Sequence, residues 1–111
     1  MEHQVKKHHS MNNEEKKLLA LIPTGSERPR PLKELVQLTG WDQRKVRTMI
    51  NRLIIFHRQP IGACYHRPGN GYFIITNNEE RSAALAPLTS QIFVISQRAQ
   101  VIGNVKLGNG E

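Results

Sequence analysis

The residues of this chain best suited to chemistry lie in one run, Gln43-Arg44-Lys45-Val46-Arg47-Thr48-Met49-Ile50-Asn51-Arg52-Leu53. Wound as a helix at about 100° per residue, Arg47, Thr48 and Asn51 fall within about 60° of Arg44, while Val46, Met49, Ile50 and Leu53 gather on the opposite side. The polar side carries groups that match base-pair edges: Arg bonds guanine O6 and N7, Asn or Gln bonds adenine, and Thr meets a thymine methyl. Arg44, Arg47, Thr48 and Asn51 are therefore the candidate base-reading residues. Gln43, Lys45 and Arg52 flank them, where phosphate oxygens are the expected partners. An ordinary solvated face mixes both signs of charge, and that reading competes with this one; past Asp42, however, the face holds no acid.

Charge supports the same choice. Sixteen Lys and Arg against nine Asp and Glu give the 111-residue chain a net +7, which favours a polyanionic partner. Most of it is local: between positions 42 and 67, Arg44, Lys45, Arg47, Arg52, Arg58 and Arg67 face one acid, Asp42.

The elements that must position these residues follow from capping and periodicity. Asn12 or Asn13 can cap a first helix, with Glu14 and Glu15 near its positive end and Leu18, Leu19, Leu21 and Ile22 facing inward until Pro23 and Gly25. A loop follows, with a short extended segment expected at Pro29 to Pro31. The second helix places Leu32, Leu35, Val36 and Leu38 inward and closes at Thr39-Gly40. After a tight turn, Asp42 caps the third, which runs to about Phe56. The runs IGACYH and YFIIT, joined through RPGNG, read as a β-hairpin with Tyr65 and Tyr72 near its tip. His66 and Arg67 approach that tip, where they serve either DNA contact or solubility. Thr76-Asn77-Asn78-Glu79 fits a capping box opening a last helical segment to about Ile102, interrupted or bent near Pro87.

The domain plan is thus a disordered leader at 1–12, a compact unit at 13–76, a helical segment at 77–102 and a flexible tail at 103–111. His3, His8 and His9 suit an expression leader, with Met11 an alternative start; adjacent histidines are poorly spaced to share a metal. Cys64 is the sole cysteine, so neither an intrachain disulfide nor a Cys-rich zinc site is expected. The charged N-terminus lacks a signal-peptide core and the apolar runs are too short for a membrane span, giving a cytoplasmic expectation. No GxxxxGK, HExxH or cysteine pair is present, and the acids lie at helix starts or surfaces, so neither enzyme, metal nor cofactor is expected.

Two stretches, PLKELVQLTGWDQRKVRTMINRLI and IGACYHRPGNGYFI, together resemble the helix-turn-helix core and wing of winged helix-turn-helix DNA-binding domains. The resemblance spans residues 14–76, and the short wing with its trailing helix is similar to small phage-type replication or regulatory proteins. It implies an α+β fold of three helices and a β-hairpin wing, here with an additional C-terminal helix. It also implies sequence-specific double-stranded DNA binding through a major-groove helix, as a transcriptional regulator or replication-initiation factor. The alternative is a winged-helix adaptor that binds protein in a replication or transcription complex. Trp41 is expected to seal the helices and Tyr72 to pack.

Beyond the hairpin, Leu85, Leu88, Ile92, Ile95, Ala99 and Ile102 recur at alternating three- and four-residue steps, the spacing of a paired-helix seam. A homodimer joined mainly at Leu88, Ile92, Ile95 and Ala99 is the expectation; packing of this helix on its own domain is the competing reading, since Phe93 and Val94 widen its apolar surface.

Overall fold

The computed structural model describes residues 10–64 and 70–108. Among them are four helices, α1 (Asn13–Leu21), α2 (Leu32–Thr39), α3 (Gln43–Ile55) and α4 (Asn78–Gly103), and two strands, β1 (Ile61–Cys64) and β2 (Gly71–Ile74), placed between α3 and α4. The fold is α+β.

Asn12 opens α1 with a reciprocal cap: its side chain accepts from Glu15 N at 2.8 Å and its own N–H donates to Glu15 Oε1 at 2.9 Å. Met11 packs against the core beside it, so the fold takes in the end of the segment set apart as leader. The core is built by Leu18 and Ile22 of α1 and its exit, Leu35 of α2, Val46, Met49, Ile50 and Leu53 of α3, and Ile61 of β1. Leu38 is a correction: expected inward, it is 46% exposed. An eight-residue helix wedged between two others buries only one narrow stripe, and Leu35 with the half-buried Leu32 and Val36 fills it.

The turn from α2 to α3 is tightly determined. Gly40 takes the left-handed conformation (φ 78°) and its N–H donates to Val36 O at 2.9 Å. Thr39 Oγ1 donates to Leu35 O at 2.7 Å and accepts from Trp41 N at 3.1 Å. Asp42 then caps α3 by accepting from Lys45 N at 2.8 Å.

The strands pair antiparallel, Ile61 opposite Ile74 and Cys64 opposite Gly71. The extended segment before α2 joins their edge, Arg30 and Tyr72 exchanging two backbone bonds of 2.9 Å. Gly71 makes that junction possible, for at φ 146° a Cβ would stand 2.5 Å from the Arg30 carbonyl carbon.

Two expectations for the last helix are revised. Its cap sits one residue later than the Thr76–Glu79 frame: Asn77 accepts from Glu80 N at 2.8 Å, while the Glu80 carboxylate reaches Thr76 N, Thr76 Oγ1 and Ser26 N at 2.8–2.9 Å. It also runs unbroken through Pro87. Proline removes one donor, whose acceptor four residues back belongs to Ala83, an exposed residue that solvent reaches.

Candidate nucleic-acid interface

In α3 the burial pattern divides the helix as its periodicity requires. Val46, Met49, Ile50 and Leu53 are buried, and Gln43, Arg44, Arg47, Thr48 and Asn51 are exposed. Arg44 and Arg47 meet no carboxylate among the described residues. Asn51 and Arg47 border a cleft of about 230 Å³ between α3 and the hairpin, whose far side is formed by Ala63, Tyr72 and Leu88. Arg47 also borders a neighbouring cleft of about 190 Å³ with Asn70, Gly71 and Tyr72. The exposed face of α3 and the hairpin thus lie side by side, with Arg47 between them.

The flanking cations Lys45 and Arg52 both pair with carboxylates of α1. Lys45 Nζ lies 2.9 Å from Glu14 Oε2 and 4.6 Å from the centre of the Trp41 ring, on a side chain that remains partly exposed. Arg52 likewise donates from Nε to Glu15 Oε2 at 3.1 Å, and its guanidinium stands 5.0 Å from the Phe56 ring centre. Both remain near the exposed face, but both already serve the packing of α1 against α3. Trp41 is half-buried against the core. His66 and Arg67, the hairpin-tip candidates, lie outside the described residues.

Sequence reasoning placed Glu15 at the start of the first helix, where the structure has it, but its burial, at 1% exposure, was not anticipated. It accepts from the Asn12 backbone and from Arg52, and its Oε1 lies 3.1 Å from His57 Nε2, a nearly buried imidazole. The Asn12 N–H holds its carboxyl below the usual range; burial opposes this, and Arg52 and His57 reinforce it. The signal was present, since Glu15, Leu18 and Ile22 share one helical stripe at spacings of three and four.

A cavity of about 680 Å³ lies elsewhere, bounded by Cys64 and Phe73 of the hairpin and Glu79, Ala83 and Pro87 of α4. It holds none of the polar α3 residues. Among the described residues no three His, Cys, Asp or Glu side chains are grouped to hold a metal, and no helix is long and apolar enough to cross a membrane.

The seam positions Leu88, Ile92, Ile95 and Ala99 are all exposed, and Leu88 shares the cleft beside α3. The intramolecular packing that would bury them is absent among the described residues. No protein-family model, curated protein or solved structure matches the chain.

Proposed function

We propose that the chain is a winged helix-turn-helix module that binds double-stranded DNA, with α3 in the major groove and the hairpin as a wing along the adjacent backbone. The observation that carries this reading is the exposed face of α3: two arginines without carboxylate partners among the described residues, with Gln43, Thr48 and Asn51, beside the hairpin. Donor-rich side chains on one exposed helix suit both base edges and phosphates. The three helices supply the support, because the Gly40 turn and the Asp42 cap fix the direction in which α3 leaves the core. Arg44, Arg47, Thr48 and Asn51 read bases; Gln43, Lys45, Arg52, His66 and Arg67 hold the backbone. Whether such a surface serves transcription or replication depends on the site it is given.

Titration of the folded protein against a random duplex at two salt concentrations tests the proposal. Binding should weaken steeply with salt as counterions are released; folded protein with no duplex affinity at low salt overturns it.

A specific observation favours a second reading. Ile54, Ile55 and Phe56 at the end of α3 are exposed, an apolar surface suited to a protein adaptor. Ile55→Ser should leave duplex affinity intact under the first reading and abolish partner binding under the second.

A further inference from the structure

We infer that α4 joins two copies of this chain through the face formed by Leu85, Leu88, Ile92, Ile95, Ala99 and Ile102, a conclusion that goes beyond DNA binding and does not depend on it. The helix has 26 residues and spans about 39 Å. Its contact with the rest of the fold is made chiefly through β1, and Ala84 is its buried residue among those described. Gly62 explains how the two approach: a Cβ there would lie 2.9 Å from Phe73 and 3.1 Å from the Ala84 methyl. From Leu85 outward no side chain is buried, and Ile92 is 65% exposed.

Helices of this length hold in water mainly by burying an apolar face, and this one has no cover from its own domain. Its six seam residues lie on a strip about 27 Å long. Each gives up on the order of 100 Å² on burial, which with the flanking Thr89, Gln91, Ser96 and Arg98 stems approaches the about 800 Å² per partner of a stable interface.

Charge identifies the occupant as a second copy. Between positions 82 and 105 Arg98 is the one charged residue, in a chain of net +7. Elsewhere two copies repel; along α4 they present matching neutral seams. Numbering the seam as alternating a and d positions puts Thr89 and Ser96 at e and Gln91 and Arg98 at g, so no row of like charges opposes pairing. A partner chosen by charge would find almost none to read here.

Val101 is exposed, lies away from the seam by helical spacing, and provides the control. Sedimentation equilibrium of the full chain across the micromolar range should give twice the chain mass. Ile92→Glu should return the single-chain mass with the thermal unfolding of the core retained, because the side chain is 65% exposed. Val101→Glu should leave the association intact. An unmodified protein that stays monomeric throughout, an Ile92→Glu variant with undiminished mass, or dissociation caused equally by Val101→Glu overturns the inference. None of these outcomes requires DNA, so failure here is distinguishable from failure of the DNA reading.

Discussion

Glu14→Gln should tighten DNA binding, although it removes an ion pair. In the folded chain the Glu14 carboxylate lies 2.9 Å from Lys45 Nζ, and both side chains are about half exposed. Such a pair contributes at most about 1 kcal/mol to stability, and Glu14 adds about 0.3–1 kcal/mol near the positive end of α1, so the fold should tolerate the change with a small loss in Tm. Without the carboxylate, net charge rises to about +8 and the Lys45 ammonium is released to a phosphate. One further phosphate neutralised steepens the log–log salt slope by about 0.9, worth about eightfold in affinity at 0.1 M salt relative to 1 M. Fluorescence anisotropy with a labelled duplex at four salt concentrations reads slope and affinity together. Lys45→Ala measured alongside should weaken random and preferred duplex alike. Unchanged affinity and slope in Glu14→Gln, with the fold intact, would refute the placement of Lys45 at the DNA backbone.

Three further outcomes follow from the same structure. Asn51→Ala should cost about 1–3 kcal/mol on a preferred duplex and little on random sequence, as read by competition titration; equal losses on both would remove Asn51 from base reading. Gly71→Ala should destabilise the fold in urea by more than the about 1–3 kcal/mol of its backbone strain, because the new Cβ meets the Arg30 carbonyl, whereas Gly40→Ala, with open space around it, should cost only about 1–2 kcal/mol; similar costs would contradict the close junction. Glu80, whose pKa is lowered to about 2 by the Thr76 and Ser26 backbone donors, favours the folded state fully above its ordinary value of 4.5, and that contribution is lost as pH falls toward 2. Glu15 is shifted in the same direction. Acid melting curves should therefore slope steeply in that window, and more weakly for Glu80→Gln; identical slopes would show that the carboxylate does not anchor the start of α4.

Local signals made much of the fold legible. Asn12, Gly40 and Asp42 each close or open a helix through their own backbone or side chain, and such contacts reach only three or four residues. The polar face of α3 was legible for the same reason, since 3.6-residue periodicity sorts a helix without knowledge of its neighbours. What escaped depends on distance in sequence. Glu14 meets Lys45 and Glu15 meets Arg52 and His57, across separations that periodicity does not measure. Leu38 looked inward by spacing, but only the position of α1 and α3 decides which stripe of α2 is covered. Pro87 looked like an interruption or a bend, and the helix is not interrupted, for a proline whose orphaned acceptor faces solvent costs the helix less than one in a core.

The Glu15 cluster connects these two kinds of information and bears on how α3 presents its face. A buried carboxylate is tolerated only when donors replace water, and here the donors come from the α1 cap and α3, with the His57 imidazole beside them. The carboxylate therefore fixes α1 against the last turns of α3 more specifically than Leu18 and Leu53 alone, because apolar contacts permit sliding and directed hydrogen bonds do not. Arg52 is held from Nε, which leaves its outer nitrogens on an exposed side chain. If the proposed DNA-binding reading holds, its orientation is thus set before contact with a phosphate, and less side-chain entropy remains to be lost. Arg44 and Arg47 lack such anchors among the described residues and keep their side-chain freedom, which on the proposed reading would let them adjust to a base sequence. Under the proposed DNA-binding reading, the helix so divides into a fixed edge that would position it and an adaptable centre that would read.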